Sequence, residues 1–329
     1  MIISRTPFRI SFVGGGSDME TFYARSQGAV LSTSIDKYMY ISSHRYFYRD
    51  QIQVKYSRTE TVNALNDLKH PLLREALRKT GITGGIEISS IADIPSGTGM
   101  GSSSSFTVGL LHNLYAINRK YVTHEELARE ACEIEIDIVK EPIGKQDQYA
   151  AAFGGLNIIY FNPDGSVRVE PLHIQDSVYS ALEENLVMFY IGNQRKASDI
   201  LSEQKKNASQ DEKFEILKKM VGLVFELRDA LYAGRLEDFG TIMHQNWILK
   251  QKLASKISNP EIDLIYEKGL ANGATGGKLL GAGGGGFMLF YCPGEKQNAL
   301  RNALKEYDTF DFKFERDGSK IIYFADEYR

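Results

Sequence analysis

The chain reads as a two-domain α+β protein, and three observations predict this. Its 329 residues exceed one ordinary domain. Strand and helix periodicities are mixed along both halves. A strand, Asn-Pro-Asp-Gly, strand pattern in LNIIYFNPDGSVRVEPL closes the first half as a hairpin. The domain boundary is expected just after it, near 175–183, which divides the chain into 1–178 and 179–329. A hydrophobic content of 43% with 25% charged residues is that of an ordinary globular protein.

The elements follow in order. FRISFVGG, GAVLSTSI and YMYISSHRYFY are predicted strands, the last alternating aromatic with polar residues. HPLLREALRKTG is a short amphipathic helix stopped by Gly81. GGIEISSIADIP is strand-like, because Ile86 and Ile88 alternate against polar neighbours. In SSFTVGLLHNLYAINRK, Phe106, Leu110, Leu114 and Ile117 recur at helical spacing. EELAREACEIEIDIV (125–139) is a further helix. The second half opens with NLVMFYIG, a buried-strand pattern, and continues with three helical stretches over roughly 196–254. SNPEIDLIYEKGLANG starts another helix, with Ser258 or Asn259 as its cap and Pro260 in first position. Strands KLLGA and FMLFYC, a helix near 294–306, and strands FDFKFER and KIIYFA complete the order.

A net charge of −3 gives no sign of a nucleic-acid or membrane-surface partner. Cys132 and Cys292 are far apart and form no metal or redox spacing, which fits a reducing cytoplasm. MIISRTPFRI lacks the long apolar core of a signal peptide, and no apolar run approaches membrane-spanning length.

Residues 94–105, IPSGTGMGSSSS, carry the strongest chemical signal. A glycine loop between a strand and a helix turns several backbone N–H groups toward one spot, and the helix dipole adds positive potential there. That spot suits phosphate, and a serine at the helix start can cap it or hold a metal. Other phosphate loops do not fit. No Lys-Ser or Lys-Thr pair follows a glycine run, as a Walker loop needs. Gly281, Gly283 and Gly286 match GxGxxG, but the strand-like FMLFYC follows them instead of a helix. Asp238-Phe239-Gly240 imitates a protein-kinase metal motif inside a helical run, without a His-Arg-Asp loop elsewhere.

PSGTGMGSSSS resembles the second signature of the GHMP small-molecule kinases. PFRISFVGGGSDM (7–19) resembles their first signature and KLLGAGGGGF (278–287) their third, so three motifs occur in order across nearly the whole chain. Within that superfamily, PFRISFVGGGSDM and GKQDQYAAAFGG (144–155) are most similar to the heptose 7-phosphate kinases. The resemblance implies an α+β, two-domain GHMP-kinase architecture: a ribosomal-S5-like N-domain, a ferredoxin-like C-domain, and an active site in the cleft between them. It also implies ATP and Mg²⁺ as cofactors and a sugar phosphate as partner.

The resemblance distributes roles over this sequence. Pro95, Gly97, Gly99, Gly101, Ser102, Ser103 and Ser104 would cradle the ATP phosphates, with Gly283 and Gly284 turning tightly near the nucleotide. Ser102, Ser103 and Glu135 would hold the metal, with Glu133 as second choice among the acids of 125–139. Asp147 falls at the family's catalytic aspartate, Lys145 close to it, and Arg9 at the arginine that helps neutralise transferring charge. Gly14-Gly15-Gly16-Ser17-Asp18 differs from the corresponding turn of galactokinases, which carries a glutamate and a histidine that read galactose hydroxyls, and this puts galactose in doubt; Gly16, Ser17 and Asp18 are the expected substrate-binding residues of the turn. Asp18 keeps a position expected to accept hydrogen bonds from sugar hydroxyls. Arg195 and Lys250 are candidate cations for a substrate phosphate. Trp247, beside Lys250, is expected in the core. The expected reaction is phosphorylation of the C1 hydroxyl of D-glycero-D-manno-heptose 7-phosphate. The alternatives are a fucose- or galactose-type sugar 1-kinase, and an inactive sugar-sensing binder on the same fold.

Overall fold

In the computed structural model, which describes residues 1–192, 197–208 and 210–325, the first strand is β1 (Ile2–Val13). Its second half is buried on both sides, with Phe8, Ile10 and Phe12 inaccessible. A glycine turn and the short α1 (Glu20–Tyr23) lead into β2 (Gly28–Arg45). The sequence predicts two strands here, and the structure has one of 18 residues. Asp36 and Lys37 interrupt the apolar pattern but not the ladder: Phe8 pairs with Ile35 and Pro7 with Tyr38, so the two extra residues are absorbed as a bulge. The small hairpin β3 (Ile52–Lys55) and β4 (Thr59–Val62) was not anticipated. Helix α2 (Pro71–Thr80) ends, as expected, on Gly81 in the left-handed conformation.

β5 (Ile86–Ala92) leads through the glycine loop into α3 (Ser102–Ile117), which packs on β1 and β2. The helix predicted over 125–139 is divided. α4 (His124–Cys132), capped by a Thr123–Glu126 box, gives way to wider π-helical turns over Glu133–Ile138. After α5 (Gln146–Phe153) comes the predicted hairpin, β6 (Leu156–Phe161) and β7 (Val167–Pro171). The stretch expected to join the domains forms α6 (Asp176–Glu184).

Then follow β8 (Leu186–Gly192), the helices α7 (Ala197–Asn207), α8 (Asp211–Tyr232) and α9 (Glu237–Gln251), and α10 (Pro260–Ala271) with Asn259 as cap. β9 (Gly276–Leu279), β10 (Gly286–Tyr291), α11 (Gln297–Ala303), β11 (Asp308–Thr309), β12 (Phe314–Glu315) and β13 (Lys320–Phe324) complete the described chain.

Among the described residues the strands form two sheets. The larger has the path β13-β1-β2-β5-β3-β4, with β6, β7 and β12 joined beside β2; the smaller is β11-β8-β10-β9. The strands that end the chain thus return to the first sheet: Phe314 pairs with Ile35, and Lys320 with Arg5. Of FDFKFER, only Phe314–Glu315 is strand. Helix α8 lies against β2 and β1, and α9 against β9, so the two sheets share one hydrophobic core. Trp247 is fully buried there, as expected. No helix of the described residues is long and apolar enough to cross a membrane.

Candidate active site

The cleft between the sheets is lined by Arg9 and Ser11 of β1, Gly16 and Asp18 of the following turn, and Gln146 and Asp147 of α5. From the other side come Gln204 of α7, Lys250 of α9, Lys278 of β9, and Gly281. Residues from all along the chain therefore meet at one place.

At its centre Arg9 and Asp147 form a two-pronged pair. Nε of Arg9 donates to Oδ1 at 2.7 Å, and Nη2 donates to Oδ2 at 2.8 Å. The third prong, Nη1, donates to the Gly99 carbonyl at 2.7 Å. Arg9 is only 5% exposed, so its charge depends on these partners. Asp147 stands at the first turn of α5, and a Cβ placed on Gly101 would lie 3.4 Å from its carboxyl carbon. The carboxylate is thus held against the glycine loop.

That loop is built on its glycines. Gly97, Gly99 and Gly101 all take positive φ, +79°, +83° and +78°, and Gly101 caps α3. Pro95 begins it, with its carbonyl accepting from the Thr98 hydroxyl. The third motif packs on its back: Gly281 touches Gly99, and Gly286 touches Thr98. Gly283 and Gly284 are turned elsewhere. Gly284 donates its N–H to the Ile257 carbonyl at 3.1 Å, and Gly283 lies against the Ile257 backbone. Their glycine character serves that close approach.

Glu135 is fully buried beside the serines. Its carboxylate accepts from Ser103, Ser104 and Thr107, each at 2.8 Å, and from the Gln148 amide. Burial raises its pKa, opposed by those four donors. No cation among the described residues lies at ion-pair distance from it. Ser102, at the first position of α3, is partly exposed. One uncompensated carboxylate beside hydroxyls is a hard oxygen set that suits a divalent cation. Glu133, two residues away, faces outward and pairs with Lys79 at 2.7 Å.

Asp18 accepts from the Gly16 N–H at 2.8 Å, the Gln146 N–H at 3.3 Å, and the Gln146 amide at 3.0 Å. Burial, and then the nearby Asp147, push its pKa up. Lys250 donates to the Gly281 carbonyl, and burial with Arg9 nearby brings its pKa down to about 8. Lys278 is 2% exposed and donates to the carbonyls of Ser11 at 2.6 Å and Phe12 at 3.2 Å. Burial, Lys250 and Arg9 lower its pKa strongly.

Besides Gly283 and Gly284, three expected site residues turn their polar groups away from the cleft: Lys145, Ser17 and Ser104. Lys145 sends its ammonium to the Gly165 carbonyl at 2.7 Å and over the Tyr23 ring, in a separate cavity with Glu20 and Asp164. It immediately precedes α5, where its side chain leaves away from that of Asp147. Ser17 is inaccessible, and its hydroxyl donates to the carbonyls of Gly14 and Ala29. It therefore braces the turn. Ser104 uses its hydroxyl on Glu135. Arg195 lies outside the described residues.

The sequence reading missed Ser11, Gln146, Gln204 and Lys278. Ser11 had a signal, since it is two residues beyond Arg9 on a strand and shares its face. Lys278 had one too, as a lysine opening an apolar strand. Gln204 had none, because only tertiary packing brings α7 here.

The chain resembles known proteins along most of its length. The GHMP kinases N-terminal domain model matches residues 64–155, and the GHMP kinases C-terminal model matches 227–308. The chain is 30% identical to D-glycero-alpha-D-manno-heptose 7-phosphate kinase of Campylobacter jejuni, over 97% of this chain and 98% of that one. It is 27% identical to galactokinase of Pyrococcus furiosus, over 93% of each. A crystal structure of a D-glycero-D-manno-heptose 1-phosphate kinase from Bacteroides thetaiotaomicron superposes with a TM-score of 0.81 at 23% identity, covering 99% of this chain and 100% of that one, a likeness of fold. With its glycine loop, Arg9–Asp147 pair and both family domains in place, the chain belongs to the GHMP kinases and is an ATP-dependent sugar kinase.

Proposed function

We propose that the chain transfers the γ-phosphoryl group of ATP to the C1 hydroxyl of D-glycero-D-manno-heptose 7-phosphate, giving the 1,7-bisphosphate for nucleotide-activated heptose synthesis in the cytoplasm. One observation carries the chemistry: the Arg9–Asp147 pair is fixed directly against the phosphate loop. The choice of acceptor draws on the name of the Campylobacter relative and on the buried Lys250 beside that pair.

In this reading the amides of the loop 97–104 hold the ATP phosphates. Asp147 accepts the hydrogen bond of the C1 hydroxyl and takes its proton as the phosphoryl group leaves ATP. An anomeric hydroxyl is more acidic than an ordinary alcohol, so orientation matters as much as basicity. Arg9 keeps the carboxylate in place and lends positive charge to the transferred group. Asp18 receives sugar hydroxyls, and Lys250 receives the acceptor's own phosphate. Ser102, Ser103 and Glu135 would hold Mg²⁺, which neutralises phosphate charge. The boundary expected at 178/179 falls inside α6 (Asp176–Glu184), so we place the change of domain at that helix, with the last strands crossing back to the first sheet.

ADP release across a panel of sugars and sugar phosphates tests this. Heptose 7-phosphate is expected to be the best acceptor. Equal or better use of free galactose or fucose overturns the assignment in favour of another sugar 1-kinase. Sugar binding without any ADP release makes the chain an inactive sensor.

A further inference from the structure

The first turn of α5 brings three successive residues to three different partners. The Gln146 amide donates to Asp18 at 3.0 Å, Asp147 accepts from Arg9 at 2.7 Å, and the Gln148 amide donates to Oε2 of Glu135. Successive positions on a helix point about 100° apart, so one turn reaches all three. The first two partners line the cleft. Gln148 is inaccessible and is not among the residues that line it.

Glu135 is gripped from two sides. Ser103 and Thr107 donate to its Oε1, and Ser104 and Gln148 to its Oε2. Ser103, Ser104 and Thr107 all stand on α3, so Gln148 is the one donor among the described residues that comes from another element. Glu135 hangs from the π-helical turns of Glu133–Ile138, and without Gln148 its carboxylate would be fixed to α3 alone. An amide suits this place. A carboxylate only accepts, so the NH₂ group must face Glu135, and a neutral donor leaves the negative charge for a cation. A lysine or arginine would cancel it. The other half of the amide gains nothing: Gln148 Oε1 is buried with no hydrogen-bond partner, an arrangement that costs about 1–3 kcal/mol. A methionine of similar length would carry no such cost, so the donor and not stability accounts for glutamine here.

We infer that Gln148 is a positioning residue for the metal site. By holding Oε2 of Glu135 it keeps Oε1 beside the Ser103 hydroxyl, where the two can share a cation, and it ties that carboxylate to the helix that carries Asp147. Being inaccessible, it acts only through Glu135. Groups that orient a metal ligand from behind contribute about 10–100-fold in metal affinity. This rests on Glu135 holding Mg²⁺ in the proposed reaction.

The test compares wild type, Gln148→Met, Gln148→Asn, Glu135→Gln and the double variant Gln148→Met with Glu135→Gln. Metal binding is measured with Mn²⁺, read from the EPR signal of the free ion, with a non-hydrolysable ATP analogue held at one concentration. Gln148→Met should weaken Mn²⁺ binding about 10–100-fold. The Mg²⁺ concentration for half-maximal rate should rise by the same factor, while kcat at saturating Mg²⁺ should recover to within about threefold of wild type. In the Glu135→Gln background, Gln148→Met should change Mn²⁺ binding less than about twofold, because the partner through which it acts is already gone. A merely structural glutamine would lower kcat at every Mg²⁺ concentration and add its loss to that of Glu135→Gln. Gln148→Asn keeps the amide but withdraws it by one methylene, and should weaken Mn²⁺ binding in the same direction; it carries the test if Gln148→Met does not fold. The inference is overturned if the folded variant binds Mn²⁺ within about twofold of wild type, or if its loss is undiminished beside Glu135→Gln. Unaltered Mn²⁺ binding by Glu135→Gln removes the metal assignment and this inference together. Weakened binding by Glu135→Gln with an unaltered Gln148→Met removes this inference alone.

Discussion

Replacing Asp147 by asparagine keeps the shape of the side chain and removes its charge. Asparagine offers Arg9 one acceptor in place of two and turns an NH₂ group toward the other guanidinium N–H. Arg9, 5% exposed, is then left with that acceptor and the Gly99 carbonyl. Breaking a buried pair in this way costs about 3–5 kcal/mol. Asp147 is 24% exposed, so solvent offsets part, and about 2–3 kcal/mol remains. At about 2–4 °C per kcal/mol for a domain of this size, the melting temperature should fall roughly 5–10 °C. The chemical step loses its proton acceptor, a contribution of about 10²–10⁴ in rate. ATP affinity should stay within about threefold, because both carboxylate oxygens bond to Arg9 and neither to the phosphate loop. The assay is single turnover with ATP pre-bound, well below the lowered melting temperature, beside an ATP titration. The repulsion that helps to raise the pKa of Asp18 also disappears, so any acid limb owed to Asp18 should move to lower pH. Single-turnover rates within about tenfold of wild type would remove Asp147 from the chemistry.

Glu135→Gln should raise the Mg²⁺ concentration needed for half-maximal rate at least about tenfold, while Glu133→Gln, at the surface pair with Lys79, should leave it nearly unchanged; the reverse order in a Mg²⁺ titration refutes the assignment. Burial raises the pKa of Glu135, so its protonated form favours folding. Relative to Glu135→Gln, the metal-free wild type should therefore lose stability as pH rises from the ordinary glutamate range through the raised pKa, and Mg²⁺ should restore it, read as melting temperature against pH. Heptose 7-phosphate should be used at least about a hundredfold better than free heptose, since each charge-assisted bond to a phosphate contributes roughly 1.5–3 kcal/mol. Lys250→Met should reduce that preference in kcat/KM without changing ATP affinity. Burial depresses the Lys250 pKa to about 8, so kcat/KM for the phosphorylated acceptor should fall as pH rises through about 8, while that for the free sugar should not.

Much of the site was legible because it lies in short runs. Arg9, the loop 95–104 and Asp147 each sit in a motif whose backbone the local sequence dictates, through glycines at positive φ and a helix start. The choice between Glu133 and Glu135 could be made only from the resemblance. On an ideal helix over 125–139 the two point to nearly opposite faces, but nothing in EIEIDI marks which face turns inward or signals the π-helical turns found there. Lys145 was misplaced for a related reason. Its neighbour Asp147 reaches the cleft, but consecutive residues at a helix start point in different directions.

Sequence by itself determined the local elements: where strands alternate, where a helix begins on Asn259 and another stops on Gly81, and where a glycine loop joins a strand to a helix. These are short-range matters of backbone preference and periodicity. Tertiary structure decided which groups share the cleft and in what electrical state. It brought Lys250 and Lys278 from the second half of the chain against Arg9 and desolvated them, and it returned β12 and β13 to the first sheet. It also left two buried atoms, Ser11 Oγ and Gln146 Oε1, without a hydrogen-bond partner near Gly15. Burial, charge proximity and unfilled space are properties of surfaces meeting across long sequence separations, and no local pattern encodes them.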